Sequence, residues 1–143
     1  MIAYVLDASV AAKWFLPAGQ ETLASEALQM LRDFGHGQIR LIVPDLFWPE
    51  FGNILWKAVR IGRISRKTAE ESIEAIENIE LATVPSGPLL RNAFAIAITS
   101  ERTVYDGVYV ALAIASGTPL VTADERLANA LAARFPVRWL GSL

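Results

Sequence analysis

Between Asp106 and Asp124 the chain runs through positions 107 to 123 without a side chain that is charged at neutral pH. Within that stretch Gly107 to Ser116 is almost wholly apolar, Gly117-Thr118-Pro119 breaks the run, and Leu120-Val121 resumes it. The apolar run is too short to cross a bilayer. It reads as a buried core helix, and the break makes the pair that follows a short buried strand. A core helix feeding such a strand is the layout of an α/β layer protein with parallel order. Asp106 opens the helix, and Asp124 follows the strand and opens the next helix. Ligands of open α/β sheets collect at the carboxyl ends of the strands, so both aspartates are candidate site residues. Each also has a purely structural reading. Thr103 with Asp106 resembles a capping box, and Asp124 ahead of Glu125-Arg126-Leu127 is a good N-cap.

The alternation continues through the rest of the chain. Ile2 to Leu6 is a buried-strand pattern ended by Asp7-Ala8-Ser9, with a helix through Val10 to Phe15 that stops before Pro17. Asp7 is thus another carboxylate at a strand end, with Ser9 able to bond beside it, or a cap for that helix. Glu21 to Phe34 is amphipathic with Leu23, Ala27, Met30, Leu31 and Phe34 inward, and Leu41 to Val43 is a second strand. Asp45 to Ile61 predicts a helix with the stripe Phe51, Ile54, Leu55, Ala58 and Gly62. Glu50 lies roughly 90° from the centre of that stripe, where a helix could aim a carboxylate at a cleft or simply meet solvent. Ser65 to Glu80 predicts a helix with Ala69, Ile73, Ile76 and Ile79 inward and a solvated glutamate face. Leu81 to Val84 is a third strand, Leu89 to Ser100 a further helix, and Val137 to Leu140 a last strand.

At 143 residues the chain is read as one domain, 1–143, large enough for a proper core. It has no cysteine and one histidine, His36 in a Gly-His-Gly loop, so a thiolate or histidine-rich metal site is excluded. The first apolar run has no basic leader and is interrupted by Asp7, so no secretory signal is expected and a cytoplasmic location is the default. A net charge of −2 argues against a general nucleic-acid coating protein, but not against an enzyme that meets phosphates through bound cations. The charge is uneven: Lys57, Arg60, Arg63, Arg66 and Lys67 hold five of the 13 basic residues.

Short connections between alternating strands and helices imply right-handed crossovers. The strand ends carrying Asp7 and Asp124 then share one edge, within reach of Asp106 and Glu50. Two carboxylates about 5 Å apart repel by roughly 3 kcal/mol at an effective dielectric near 20, equal to about two pKa units on one of them. Four together would partly protonate or splay unless a divalent cation neutralised them. Oxygen ligands without His or Cys select Mg²⁺ or Mn²⁺ over zinc.

Leu-Asp7-Ala-Ser9, Glu50-Phe-Gly-Asn53-Ile-Leu, Val-Tyr-Asp106-Gly-Val-Tyr-Val-Ala-Leu-Ala and Val-Thr-Ala-Asp124-Glu-Arg-Leu occur in this order across nearly the whole chain. Together they resemble the acidic motifs of the PIN-domain nucleases, whose single-domain bacterial members of this length are VapC-type toxins. The resemblance implies a three-layer α/β/α fold with a central, mainly parallel sheet, and a metal-dependent endoribonuclease. It makes Asp7, Glu50, Asp106 and Asp124 the catalytic, Mg²⁺- or Mn²⁺-binding acids, and Ser9 and Thr122 hydroxyls that support them. RNA would be the substrate, with Lys57, Arg60, Arg63, Arg66 and Lys67 as a candidate phosphate track or else a solvated surface. It further implies an antitoxin protein as partner and a homodimer. Trp14, Phe15, Phe47, Trp48 and Trp56 cluster on two helices and are candidates for that partner surface, though core filling also accounts for such residues.

Other readings of a strand-end aspartate fare less well. A haloacid-dehalogenase-type phosphatase needs a second aspartate where Ser9 stands, and a receiver domain needs an acidic pair and a late lysine. A catalytically silent RNA- or protein-binding module on the same scaffold, its acids only capping helices, stays open as the alternative.

Overall fold

Five strands, β1 (Ile2–Leu6), β2 (Ile39–Pro44), β3 (Ala82–Val84), β4 (Leu120–Thr122) and β5 (Val137–Trp139), form one sheet in the order β3-β2-β1-β4-β5. Every neighbouring pair is parallel. The structure is a computed structural model describing residues 1–143. Seven helices connect the strands: α1 (Ala8–Ala12), α2 (Ala24–Gly35), α3 (Phe47–Arg60), α4 (Arg66–Glu77), α5 (Leu90–Ser100), α6 (Val104–Ser116) and α7 (Glu125–Leu131). No helix is long and apolar enough to cross a membrane.

The layers follow from the period-2 geometry of a strand. In β1, Tyr4 and Leu6 pack with α1 to α4, whereas Val5 faces the opposite way into the core formed with α5 to α7. In β4 the same division puts Val121 on the first side and Leu120 on the second. Because both faces are covered, the central strands are apolar almost throughout. This is the three-layer α/β/α architecture that the resemblance implies.

The strand order reverses direction beside β1. The chain first winds outward from β1 to β2 and β3, then returns to add β4 and β5 on the other side of β1. Such a reversal leaves a crevice at the carboxyl ends of the two central strands. The segments leaving β1 and β4 begin there with Asp7 and, two residues past Thr122, Asp124.

The apolar segment 107–116 forms most of α6, with Gly107 to Ala113 buried. Thr103 caps its start, its hydroxyl accepting the Asp106 N–H at 3.1 Å. α5 and α6 pack so closely that a Cβ at Gly107 would overlap the Ala93 carbonyl oxygen, so glycine is required there. Gly117 ends α6 in the left-handed region at φ 63°.

Several local expectations differ from the structure for identifiable reasons. α1 starts at Ala8 and not Val10, because Asp7 is its cap and accepts the Ser9 N–H at 3.5 Å. α2 starts at Ala24 and not Glu21: Leu23 adopts a left-handed φ of 58°, and Glu21 is drawn into bonds with Lys13 (3.1 Å) and Arg63 (2.6 Å). In α4 the buried positions are Ala69, Ser72 and Ile76, while Ile73 is 39 % exposed. The aromatic cluster is mainly core. Trp14 and Phe47 are buried, Phe15 and Trp48 pack partly buried against them, and Trp14 Nε1 donates to the Ala27 carbonyl at 2.8 Å. Of the five, Trp56 alone is exposed, with Arg60 stacked 5.3 Å from its ring centroid.

Candidate active site

Asp7 occupies the turn between β1 and α1, at the reversal crevice. Its Oδ2 accepts hydrogen bonds from Thr122 Oγ1 at 2.7 Å and Ser9 Oγ at 3.0 Å. Both hydroxyls are themselves held. Thr122 Oγ1 accepts the Asp124 N–H at 3.0 Å, and Ser9 Oγ accepts the Ala123 N–H at 3.2 Å. A ring of bonds therefore ties the end of β1 to the end of β4. The local sequence supports each part: Thr122 is the fully buried last residue of β4, and Ser9 lies in the first turn of α1.

Asp124 caps α7, its Oδ1 accepting the Leu127 N–H at 3.1 Å. Capping uses one carboxylate oxygen, which makes the capping and functional readings compatible. Glu50 lies in the first turn of α3 with its Oε1 buried and without a hydrogen-bond partner. Asp106 lies in the first turn of α6. None of the four acids is ion-paired; the salt bridges lie elsewhere, Lys13–Glu21, Arg63–Glu21 and Arg66–Glu70.

The acids perturb one another. Burial pushes Asp7 above the ordinary carboxylate range, outweighing the bonds from Thr122 and Ser9, and the charge of Asp124 adds to the rise. Burial likewise raises Glu50, with Asp7 and Asp106 adding repulsion and the Tyr109 hydroxyl opposing it. Asp106 is raised by burial and then by Asp7; Arg102 offsets part of this, while Asp124 adds to it. Desolvation and like charge are the two causes that favour the protonated form of a carboxylate.

A cleft of about 590 Å³ opens against this group, lined among others by Asp7, Ser9, Glu50, Asn53, Lys57 and Tyr105. A second hollow, about 310 Å³, shares Ser9 and Ile54 with the cleft and includes Lys13, Glu21, Arg63 and Asp124. Asp106 lines neither hollow. Of the basic run, Lys57 reaches the cleft, Arg63 reaches the second hollow while paired to Glu21, Arg60 covers Trp56, and Arg66 is paired to Glu70 at 2.6 Å. Lys67 is exposed on α4. The run is thus distributed over several local partners.

Lys13 and Tyr109 were given no role from the sequence, and Asn53 entered only as part of the Glu50 motif. Asn53 is one turn past Glu50 and could have been found from that spacing. Lys13 and Tyr109 sit inside apolar runs, where a lone polar residue reads as packing.

As the side chains stand, no three acidic or imidazole groups gather at metal-holding spacing. The chemistry of the set nonetheless fits a hard divalent cation: carboxylate oxygens only, repelling one another and paired with no base.

Comparison with known proteins gives a consistent result. The PIN domain family profile matches residues 4–131. Ribonuclease VapC3 of Pyrobaculum aerophilum is 34% identical over 134 residues, covering 92% of this chain and 94% of that protein. A crystal structure of a Pyrobaculum aerophilum protein superposes with a TM-score of 0.73 at 23% identity, covering 99% of this chain and 85% of that one. A toxin–antitoxin complex from Klebsiella pneumoniae gives a TM-score of 0.65 at 14% identity, covering 94% and 95%.

Proposed function

Since the chain belongs to the PIN-domain family and is related to the VapC ribonucleases, we propose that it is a Mg²⁺- or Mn²⁺-dependent endoribonuclease, the toxin of a toxin–antitoxin pair. One domain, residues 1–143, would carry the activity. Asp7, Glu50, Asp106 and Asp124 would hold the ion. The observation that carries this reading is the opening of the Asp7 and Glu50 carboxylates onto one cleft, with no base paired to either.

The ion, when bound, supplies Lewis acidity: a more acidic, oriented water and a counter-charge for the phosphodiester under in-line attack. The remaining work falls to the chain's own groups. Thr122 and Ser9 fix the Asp7 carboxylate through hydroxyl bonds to Oδ2, while Oδ1 takes only the long 3.5 Å bond from the Ser9 N–H. Lys57, on the cleft wall one turn beyond Asn53, would meet a backbone phosphate as a point charge. Arg60, Arg63, Arg66 and Lys67 would contribute at longer range, where salt screens them.

For the homodimer, the supporting surface is on α5. Leu90, Phe94 and Ile98, spaced by four residues, are 56 %, 56 % and 66 % exposed. A stripe without charge can face its own copy across a two-fold axis with no like-charge contact. The antitoxin is proposed from the toxin–antitoxin complex among the structural neighbours.

Incubating the protein with structured RNA in Mg²⁺, in Mn²⁺ and in EDTA, with Asp7→Asn alongside, tests the proposal. Cleavage in Mg²⁺ or Mn²⁺ that EDTA and D7N both abolish is expected. Cleavage indifferent to EDTA rejects the metal mechanism, and no cleavage of any RNA favours the silent binding module.

A further inference from the structure

Tyr109 lies on α6 three residues past Asp106, so the two side chains leave the helix on the same side. It is 4 % exposed, and its ring belongs to the core between the sheet and α5 to α7. The hydroxyl ends where that apolar packing stops, beside the Glu50 carboxylate of α3 and the backbone of Ala8. Tyr109 Oη and Glu50 Oε1 are both buried, and neither closes a hydrogen bond of ordinary geometry. Ala8 is the first residue of α1, where a helix N–H has no intrahelical acceptor. Three polar groups in need of partners therefore meet at one point. Their chemistry fixes the direction of the bonds. Ala8 N–H can only donate and an ionised Glu50 can only accept, so the phenol accepts from one and donates to the other.

Phenylalanine would fill the same volume in this core, and nothing in the ring's packing calls for a hydroxyl. We propose that Tyr109 is a positioning residue for Glu50. When the phenol closes its bonds to the Ala8 N–H and the Glu50 carboxylate, it ties α6 to the starts of α1 and α3 and turns that carboxylate toward the cleft beside Asp7. The inference rests on the reading of Glu50 as one of the ion-holding acids.

The test uses the full chain with Tyr109→Phe, Glu50→Gln and the double variant. Mn²⁺ binding is followed by calorimetry, RNA cleavage is split into kcat and KM, and unfolding is measured in EDTA. Loss of an outer bond to a metal ligand costs about 10- to 100-fold in affinity, and a weakening of that order is expected for Y109F. kcat should fall with it, KM for RNA should stay within about twofold, and the EDTA melting temperature should stay near wild type. In the E50Q background the same substitution should change Mn²⁺ affinity by less than about twofold. Wild-type affinity in Y109F, an equal loss in the E50Q background, or a collapse of the EDTA melting temperature overturns the positioning role while leaving the nuclease reading intact. A wild-type protein that binds no Mn²⁺ and cleaves no RNA overturns both.

Discussion

Thr122→Val removes one hydroxyl from the ring of bonds that joins β1 to β4 and changes little else, since Thr122 is fully buried and the two side chains have nearly the same shape. Two bonds are lost. The first is the 2.7 Å donation to Asp7, which is charge-assisted when Asp7 is ionised and worth about 1.5–3 kcal/mol. The second is the acceptor for the Asp124 N–H at 3.0 Å, worth about 0.5–1.5 kcal/mol and partly replaceable by water. A net loss of about 2–3 kcal/mol follows, or roughly 5–10 °C in melting temperature for a domain of this size. Denaturant unfolding in EDTA, at about pH 7.5 and about pH 4.5, measures it. Burial already holds the Asp7 pKa above its ordinary value, and the Thr122 bond works against that rise. Removing the bond therefore penalises only the ionised form, and the deficit should shrink as pH falls and Asp7 protonates. In an Asp7→Ala background roughly 1 kcal/mol should remain, from the Asp124 N–H alone. A deficit below about 0.5 kcal/mol, or one equal at both pH values and undiminished by D7A, refutes this account of the Asp7 site.

Other substitutions and conditions give separate outcomes. Asp7, Glu50 and Asp106 all have raised pKa values, so the stability they permit is complete below the unfolded carboxylate pKa and is lost as pH rises through the folded values. Calorimetry in EDTA should show the melting temperature falling from mildly acid pH toward neutrality, and Mn²⁺ should reverse the fall. Asp106→Asn should abolish RNA cleavage while leaving the EDTA melting temperature unchanged or higher, because it relieves repulsion from Asp7 and Asp124; a marked drop on thermal unfolding counts against this. Gly107→Ala should cost at least about 1–3 kcal/mol by denaturant unfolding, because the methyl meets the rigid Ala93 carbonyl. On the proposed homodimer, Phe94→Asp should leave the fold intact and shift the mass measured by light scattering from dimer to monomer; a wild-type monomer rejects the dimer, and a dimer that persists in the variant excludes the α5 stripe as its seam.

The parts of the fold written in local pattern were legible in the sequence. β1, β4, and the helices built from the 45–61 and 107–116 segments follow from apolar runs and their Gly and Pro breaks. Asp7, Asp106 and Asp124 stood out as candidates because each is a carboxylate at the edge of a buried run, whereas Glu50, inside a helix at its core–solvent border, gave no such local signal. What local pattern lacks is information carried by distant partners. Glu21 looked like a helix start, but Lys13 and Arg63 claim it across the fold. Ile73 looked inward, yet the phase of α4 is set by Ala69, Ser72 and Ile76 against the core. The tryptophan-rich stretch looked like a binding surface because composition does not reveal which way an aromatic points. Tyr109 was silent for a related reason: inside an apolar helix a tyrosine reads as filler, and only the approach of Glu50 from another helix gives its hydroxyl a task.

The return of the chain to dock β4 against β1 has a bearing on how such a protein can be made safely. Asp7 and Glu50 are synthesised early, but Asp106, Thr122 and Asp124 come near the end, and the bond between Asp7 and Thr122 spans 115 positions. A ribosome releasing this polypeptide emits a half-built pocket for most of the time it is working. On the proposed reading, the growing chain cannot attack the RNA around it until its final third has emerged and the last long loop has closed. Slow, non-local closure of that kind would give a newly made antitoxin time to arrive first.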